Sequence, residues 1–95
     1  MRKFIIERDI PGVGGLDSCE LASAARKSND VLAELAPAIQ WQQSYVAGNK
    51  TFCVYLAEDE AVIRRHAEKS GFPATRITEV TAVIDPTTAI APARG

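Results

Sequence analysis

The chain has 95 residues, 46% hydrophobic and 24% charged, which is enough for one modest domain but not for two. Eleven basic residues against twelve acidic ones leave a net charge of −1, without the basic surplus of a general nucleic-acid binder. No apolar run approaches the roughly 20 residues needed to span a bilayer, and the charge gives no hold on an anionic membrane surface.

Lys3 to Ile10 (KFIIERDI) reads as the first strand, closed by Pro11 and the glycines of GVGG. Glu7 and Asp9 break its apolar stretch too early for a secretory signal. Asp17 followed by Glu20 forms an acidic capping box, each side chain placed to satisfy an orphan N–H of a first helical turn. Leu21, Ala25, Ser28, Leu32 and Leu35 then recur at helical spacing, and Pro37 stops the helix. Gln40 to Val46 and Thr51 to Leu56 flank Ala47-Gly48-Asn49-Lys50, a hairpin signal. Asp59 is placed to cap a second helix whose inner side carries Val62, Ile63, His66 and Ala67. Gly71 suits its left-handed end, and Pro73 prevents continuation. Arg76 to Ile84, rich in β-branched residues, reads as the last strand. From Asp85 onward the chain holds two prolines and little that could pack. The domain is therefore placed at residues 1–86, with a flexible C-terminal tail over 87–95.

Strand, helix, strand, strand, helix, strand is the ferredoxin-like βαββαβ order, an α+β fold with a four-stranded antiparallel sheet and both helices on one face. Alternation along each strand assigns the two sheet faces. Phe4 and Ile6, the row Phe52, Val54 and Leu56, and the row Val80, Ala82 and Ile84 are expected under the helices. Ile5 and Glu7, Cys53 and Tyr55, and Ile77, Glu79 and Thr81 are expected on the open face. Trp41, Gln43 and Tyr45 share a face that parity leaves undecided. A half-apolar sheet surface of this size calls for a cover, and a homodimer packed sheet on sheet is the simplest one, with the carboxylates in or near its cavity.

Among chemistry-bearing residues, GVGG (Gly12 to Gly15) lacks the third glycine of a dinucleotide fingerprint and is followed by Asp17 and Glu20, which would repel a phosphate. Lys50 to Tyr55 occupies the strand that carries aromatics in RNA-recognition domains. Phe52 and Tyr55, however, differ by an odd number and cannot both face outward. Cys19 and Cys53 have no metal-binding or redox spacing and read as free thiols of a reducing cytoplasm. His66, the only histidine, is either a hydrogen-bonded structural residue or a nitrogen ligand reaching the sheet's rim near Glu7 or Glu79. Arg8, Arg64, Arg65 and Arg76 could hold a carboxylate or phosphate or be solvated; the solvated reading is favoured for Arg64 and Arg65. No catalytic constellation stands out.

The opening strand FIIERDIPG, the hairpin strands QWQQSYV and TFCVYLA, and above all HAEKSGFPATRITEV resemble a family of small bacterial ferredoxin-like proteins that includes a nickel-binding, nickel-responsive actinobacterial member. The resemblance runs over about residues 3 to 86, with His66 followed by Gly71-Phe72-Pro73 as its most specific mark. It implies a homodimer and a divalent metal, nickel by name. The nickel-binding relative carries histidines where this chain has Glu7-Arg8-Asp9 and Phe72, so only His66 carries over. A metal site here would have to be rebuilt from carboxylates and Cys53.

The expected function is thus that of a small cytoplasmic dimer holding a divalent metal or small ligand at its dimer cavity, with itself as partner and neither nucleic acid nor membrane involved. Glu7 and Glu79 would be anionic ligands, His66 the nitrogen ligand, and Tyr55, Trp41 and Tyr45 the walls. One alternative is a cofactor-free oxygenase or isomerase with His66 as general base and Trp41 and Tyr45 lining an aromatic pocket. Another is a structural or regulatory dimer without ligand.

Overall fold

A computed structural model describes residues 1–90. The strands β1 (Arg2–Asp9), β2 (Ile39–Ala47), β3 (Lys50–Ala57) and β4 (Arg76–Glu79) form one antiparallel sheet in the order β2-β3-β1-β4. Helices α1 (Ser18–Leu35) and α2 (Glu60–Ser70) complete the βαββαβ order. The ferredoxin-like arrangement expected from the sequence is the one observed.

The helix boundaries follow the side chains that encode them. Asp17 Oδ1 accepts from the Glu20 amide at 2.8 Å, and Glu20 Oε1 accepts from the Asp17 amide at 3.1 Å, closing the capping box at the start of α1. Asp59 accepts from the Val62 amide at 3.0 Å, and α2 ends at Gly71 with φ of 78°, a conformation glycine adopts without strain. GVGG is structural rather than phosphate-binding. The Gly14 amide donates to Gly48 O at 2.8 Å, and a Cβ on Gly14 would meet that oxygen at 2.6 Å. The glycine is therefore needed to dock the β1–α1 loop against the hairpin turn.

The core lies between the helices and one sheet face. Phe4, Ile6, Ile39, Cys53, Tyr55 and Ala57 meet Val62 and Ile63 of α2, with Leu32, Leu35 and Ile77 packed around them. The faces of β3 are the reverse of the sequence expectation. Pairing sets Phe4 beside Tyr55 and Ile6 beside Cys53, so Tyr55 and Cys53 share the covered face with Phe4 and Ile6. Phe52, Val54 and Leu56 stand on the open face, where Val54 lies beside Ile5 and Phe52 beside Glu7. Both rows are apolar, and antiparallel pairing with the helix-facing Phe4 and Ile6 selects the one that is covered.

Two further expectations are corrected. Trp41, Gln43 and Tyr45 do not share a face, because the β2–β3 register shifts between Trp41 and Gln43. This bulge turns Trp41 toward the helices beside Tyr55, while Gln43 and Tyr45 face outward. The last strand ends at Glu79 rather than Ile84. Its register sets Glu79 beside Phe4, and β1 begins at Arg2, so Ala82 to Ile84 have no partner to pair with. Of the row expected under the helices, Ala82 and Ile84 are exposed and Val80 is only half-buried. Ile77 and Glu79 follow Ile6 and Phe4 onto the helix side, not onto the open face. Beyond them Asp85 caps a short 3-10 turn, Pro86–Ala89. The last five residues of the expected tail lie outside the described residues.

Candidate functional site

The first half of α1 stands away from the sheet. Leu21, Ala24 and Ala25 face β2 and β3 across a cavity of about 320 Å³, at the lower end of the usual size for small-molecule sites. The β1–α1 loop contributes Val13 and Leu16, β2 contributes Trp41 and Val46, and the segment after α2 contributes Phe72 and Pro73. The walls are almost wholly apolar. The bulge helps to shape them: Trp41 Nε1 donates to Ser44 Oγ at 2.9 Å, holding the indole against the cavity.

A small polar group lies at one side of this apolar space. Arg8 continues the buried row of Phe4 and Ile6, so parity carries its side chain under the helices, where it is 2% exposed. Its Nη1 donates to Pro73 O at 2.7 Å, and its Nη2 reaches the Tyr55 hydroxyl at 3.5 Å. The guanidinium also stands 6.0 Å from the Phe72 ring centre. Ser28 of α1 lines the cavity, and its hydroxyl shares a 3.1 Å hydrogen bond with His66 Nε2. His66 is fully buried, tilted against Tyr55 with ring centres 5.4 Å apart, and its Nδ1 has no partner among the described residues.

Electrostatics keep this group neutral apart from Arg8. Burial, reinforced by the positive charge of Arg8, pushes the His66 pKa down to about 4, so the imidazole is uncharged at pH 7. Burial raises the Tyr55 phenol above its ordinary value, against the opposing pull of Arg8. Ser28 and His66 have the contact of a nucleophile–base pair, but no group orients Nδ1, and an imidazolium would form beside Arg8. Those are poor terms for base catalysis.

The sequence-derived site residues are not brought together. Glu7 lies on the open face, with Lys50 Nζ at 3.6 Å and Arg76 Nε at 4.0 Å. His66 lies on the other face. Glu79, at the exposed rim, is held in two hydrogen bonds by Arg2, at 2.8 and 3.2 Å, which keep its carboxyl below the usual range. Tyr45 is 57% exposed on the open face. Tyr55 and Trp41 do line one cavity, but it is the cavity under the helices. Cys19 is exposed and Cys53 is buried, both as free thiols. Among the described residues no group of three or more His, Cys, Asp and Glu side chains could hold a metal ion, so the residues present do not fit a nickel centre within one chain. Sequence reasoning missed Ser28 as a cavity residue and treated Arg8 only as one of four candidate arginines. The parity shared by Phe4, Ile6 and Arg8 is the signal that singles out Arg8.

Fold and cavity together define a small ferredoxin-like α+β protein with an apolar pocket between its first helix and its sheet. Residues 4–80 match the family described as nickel responsive protein SCO4226-like, and the chain belongs to that family. Among solved structures it is similar to that of SCO4226 from Streptomyces coelicolor A3(2), at 20% identity and a TM-score of 0.71, over 86% of this chain and 99% of that one. At that identity the likeness speaks for the fold alone. A search of the curated proteins finds no match. No helix among the described residues is long and apolar enough to cross a membrane.

Proposed function

We propose that this member of the nickel-responsive family binds a small, largely apolar organic molecule in the pocket between α1 and the sheet. The observation that carries the reading is the cavity itself: about 320 Å³, apolar-walled, with a few polar groups converging at one side. A folded domain this small gains most of its stability from close packing, and a gap of this size is not explained by the core. The ligand site therefore lies within one chain, under the helices, rather than in a dimer cavity on the open face.

Homodimerisation through the open face remains part of the proposal. Phe52, Val54 and Leu56 of β3, with Ile5 beside them, form an apolar strip that no helix among the described residues covers. Nickel responsiveness comes to this chain with its family. His66, Glu7 and Glu79 offer no shared point for the ion, so a response to nickel would not run through them.

Thermal melts with medium-chain alcohols, amides and carboxylates test the reading, because a molecule that binds only the folded state raises the midpoint. Compounds of this kind are expected to stabilise the wild type and to lose that effect in Ala25→Phe, which fills the cavity. No stabilisation by any of them would contradict it. Nickel that survives exhaustive dialysis of the wild type and is lost in His66→Ala would contradict the placing of any nickel response away from His66.

A further inference from the structure

Among the described residues the pocket holds one charge and nothing to balance it: Arg8 is the only charged side chain lining the cavity. Its partners, Pro73 O and the Tyr55 hydroxyl, are neutral, and it takes part in none of the ion pairs among the described residues. Arg2 and Arg64, on the surface, each meet a carboxylate at 2.8 Å or less. Two surface arginines are thus closely paired, and the buried one is not. A buried charge without a counter-charge destabilises the fold. Fastening the Pro73 loop does not require it, since any neutral donor could make that bond. A guanidinium carries five N–H donors, and only two bonds of Arg8 are made within the protein.

We propose that the pocket binds a monocarboxylate with an apolar body, the carboxylate seated against the Arg8 guanidinium and the hydrocarbon part against Leu16, Leu21 and Trp41. The proposal rests on the reading of the cavity as a ligand site and names its ligand class. A guanidinium meets a carboxylate in a planar, two-bonded geometry that no point charge reproduces. One carboxylate neutralises one guanidinium. A phosphate monoester would bring close to two negative charges against the one basic side chain that lines the pocket among the described residues. The Lys27 amine, 5.5 Å from the Phe72 ring centre, lies outside that lining. The Tyr55 hydroxyl, which accepts from Arg8, keeps its own proton as a further donor for an anion, and so does Ser28 in the tautomer where His66 Nε2 carries the ring proton. Behind them His66 is neutral and adds no competing charge.

Trp41 is the only tryptophan and lines the cavity, so its emission reports occupancy directly. The test is a titration of the full chain with octanoate, octanamide and octyl phosphate. Octanoate is expected to bind about tenfold or more tightly than octanamide, the scale of a charge-assisted hydrogen bond, and more tightly than octyl phosphate. In Arg8→Gln the preference for octanoate should collapse while octanamide still binds. Equal binding of octanoate and octanamide by the wild type would overturn the carboxylate assignment and leave the ligand pocket standing. Tighter binding of octyl phosphate would overturn the single-charge argument, and an unchanged preference in Arg8→Gln would overturn the role of Arg8. Failure of all three probes to bind would remove the pocket reading as well. The wild-type comparison needs no variant, so it decides even where Arg8→Gln does not fold.

Discussion

On the covered side of the sheet, Phe4, Ile6, Tyr55 and Ala57 are sealed together with Arg8, Ser28 and His66. On the open side, Ile5, Phe52, Val54 and Leu56 share their surface with Glu7, whose partners Lys50 and Arg76 are solvated. The same polar chemistry has different consequences in the two places. Ion pairs on the open side are screened by water and contribute little. On the covered side burial pushes the His66 pKa down to about 4. Among the described residues its Nδ1 has no partner and Arg8 no counter-charge, both costlier in the low dielectric than they would be in water. Function is to be sought where water does not level these differences.

The contrast is broken most directly by truncation on neighbouring positions of β3. Tyr55→Ala should destabilise the fold by about 3–4 kcal/mol, as loss of a large buried ring does. Leu56→Ala, one residue on and facing outward, should cost about 1 kcal/mol. Chemical denaturation of dilute protein measures both, and the reverse order would restore the face assignment read from the sequence.

Next in size is the pH dependence. The folded state disfavours the imidazolium of His66, so between pH 6.5 and about 4 the unfolded chain binds more protons than the folded one. Stability should fall as pH drops through that window, by about 3 kcal/mol in all, given 1.36 kcal/mol for each pKa unit. Denaturation curves of wild type and His66→Gln across the window check it, the variant losing most of the slope. A slope that survives would place the titration among other groups.

Asp17→Ala removes the cap of the helix that roofs the pocket and should cost about 1 kcal/mol, read as a lowered denaturation midpoint. Smallest in its effect on folding is Val54→Asp on the open face, expected to change monomer stability by less than about 1 kcal/mol. Its effect should appear instead in sedimentation, as loss of the dimer proposed for the wild type.

Much of the fold was legible because it is encoded locally. Asp17 with Glu20, Asp59 with Gly71, and the glycine-bearing turn before Thr51 each specify a helix or hairpin boundary without reference to the rest of the chain. The faces of β3 were not legible, because Phe52, Val54 and Leu56 are as apolar as Cys53, Tyr55 and Ala57. Only pairing with Phe4 and Ile6 decides which row is covered. The bulge after Trp41 breaks the alternation that parity relies on, and the end of β4 depends on where its partner β1 begins. In the site, Arg8 could be read from its shared parity with Phe4 and Ile6. The cavity could not, since it depends on how far the first turns of α1 stand from the sheet.

The central claim, that ligand chemistry belongs to the covered face, is tested most directly by amide and indole NMR shifts of labelled protein during titration with octanoate. Perturbations should concentrate at Arg8, Leu21, Ser28, Phe72 and the Trp41 indole N–H, leaving Ile5, Gln43, Val54 and Thr78 unmoved. Shifts that gather instead on Ile5, Val54 and Tyr45 would place the site on the open face and contradict it.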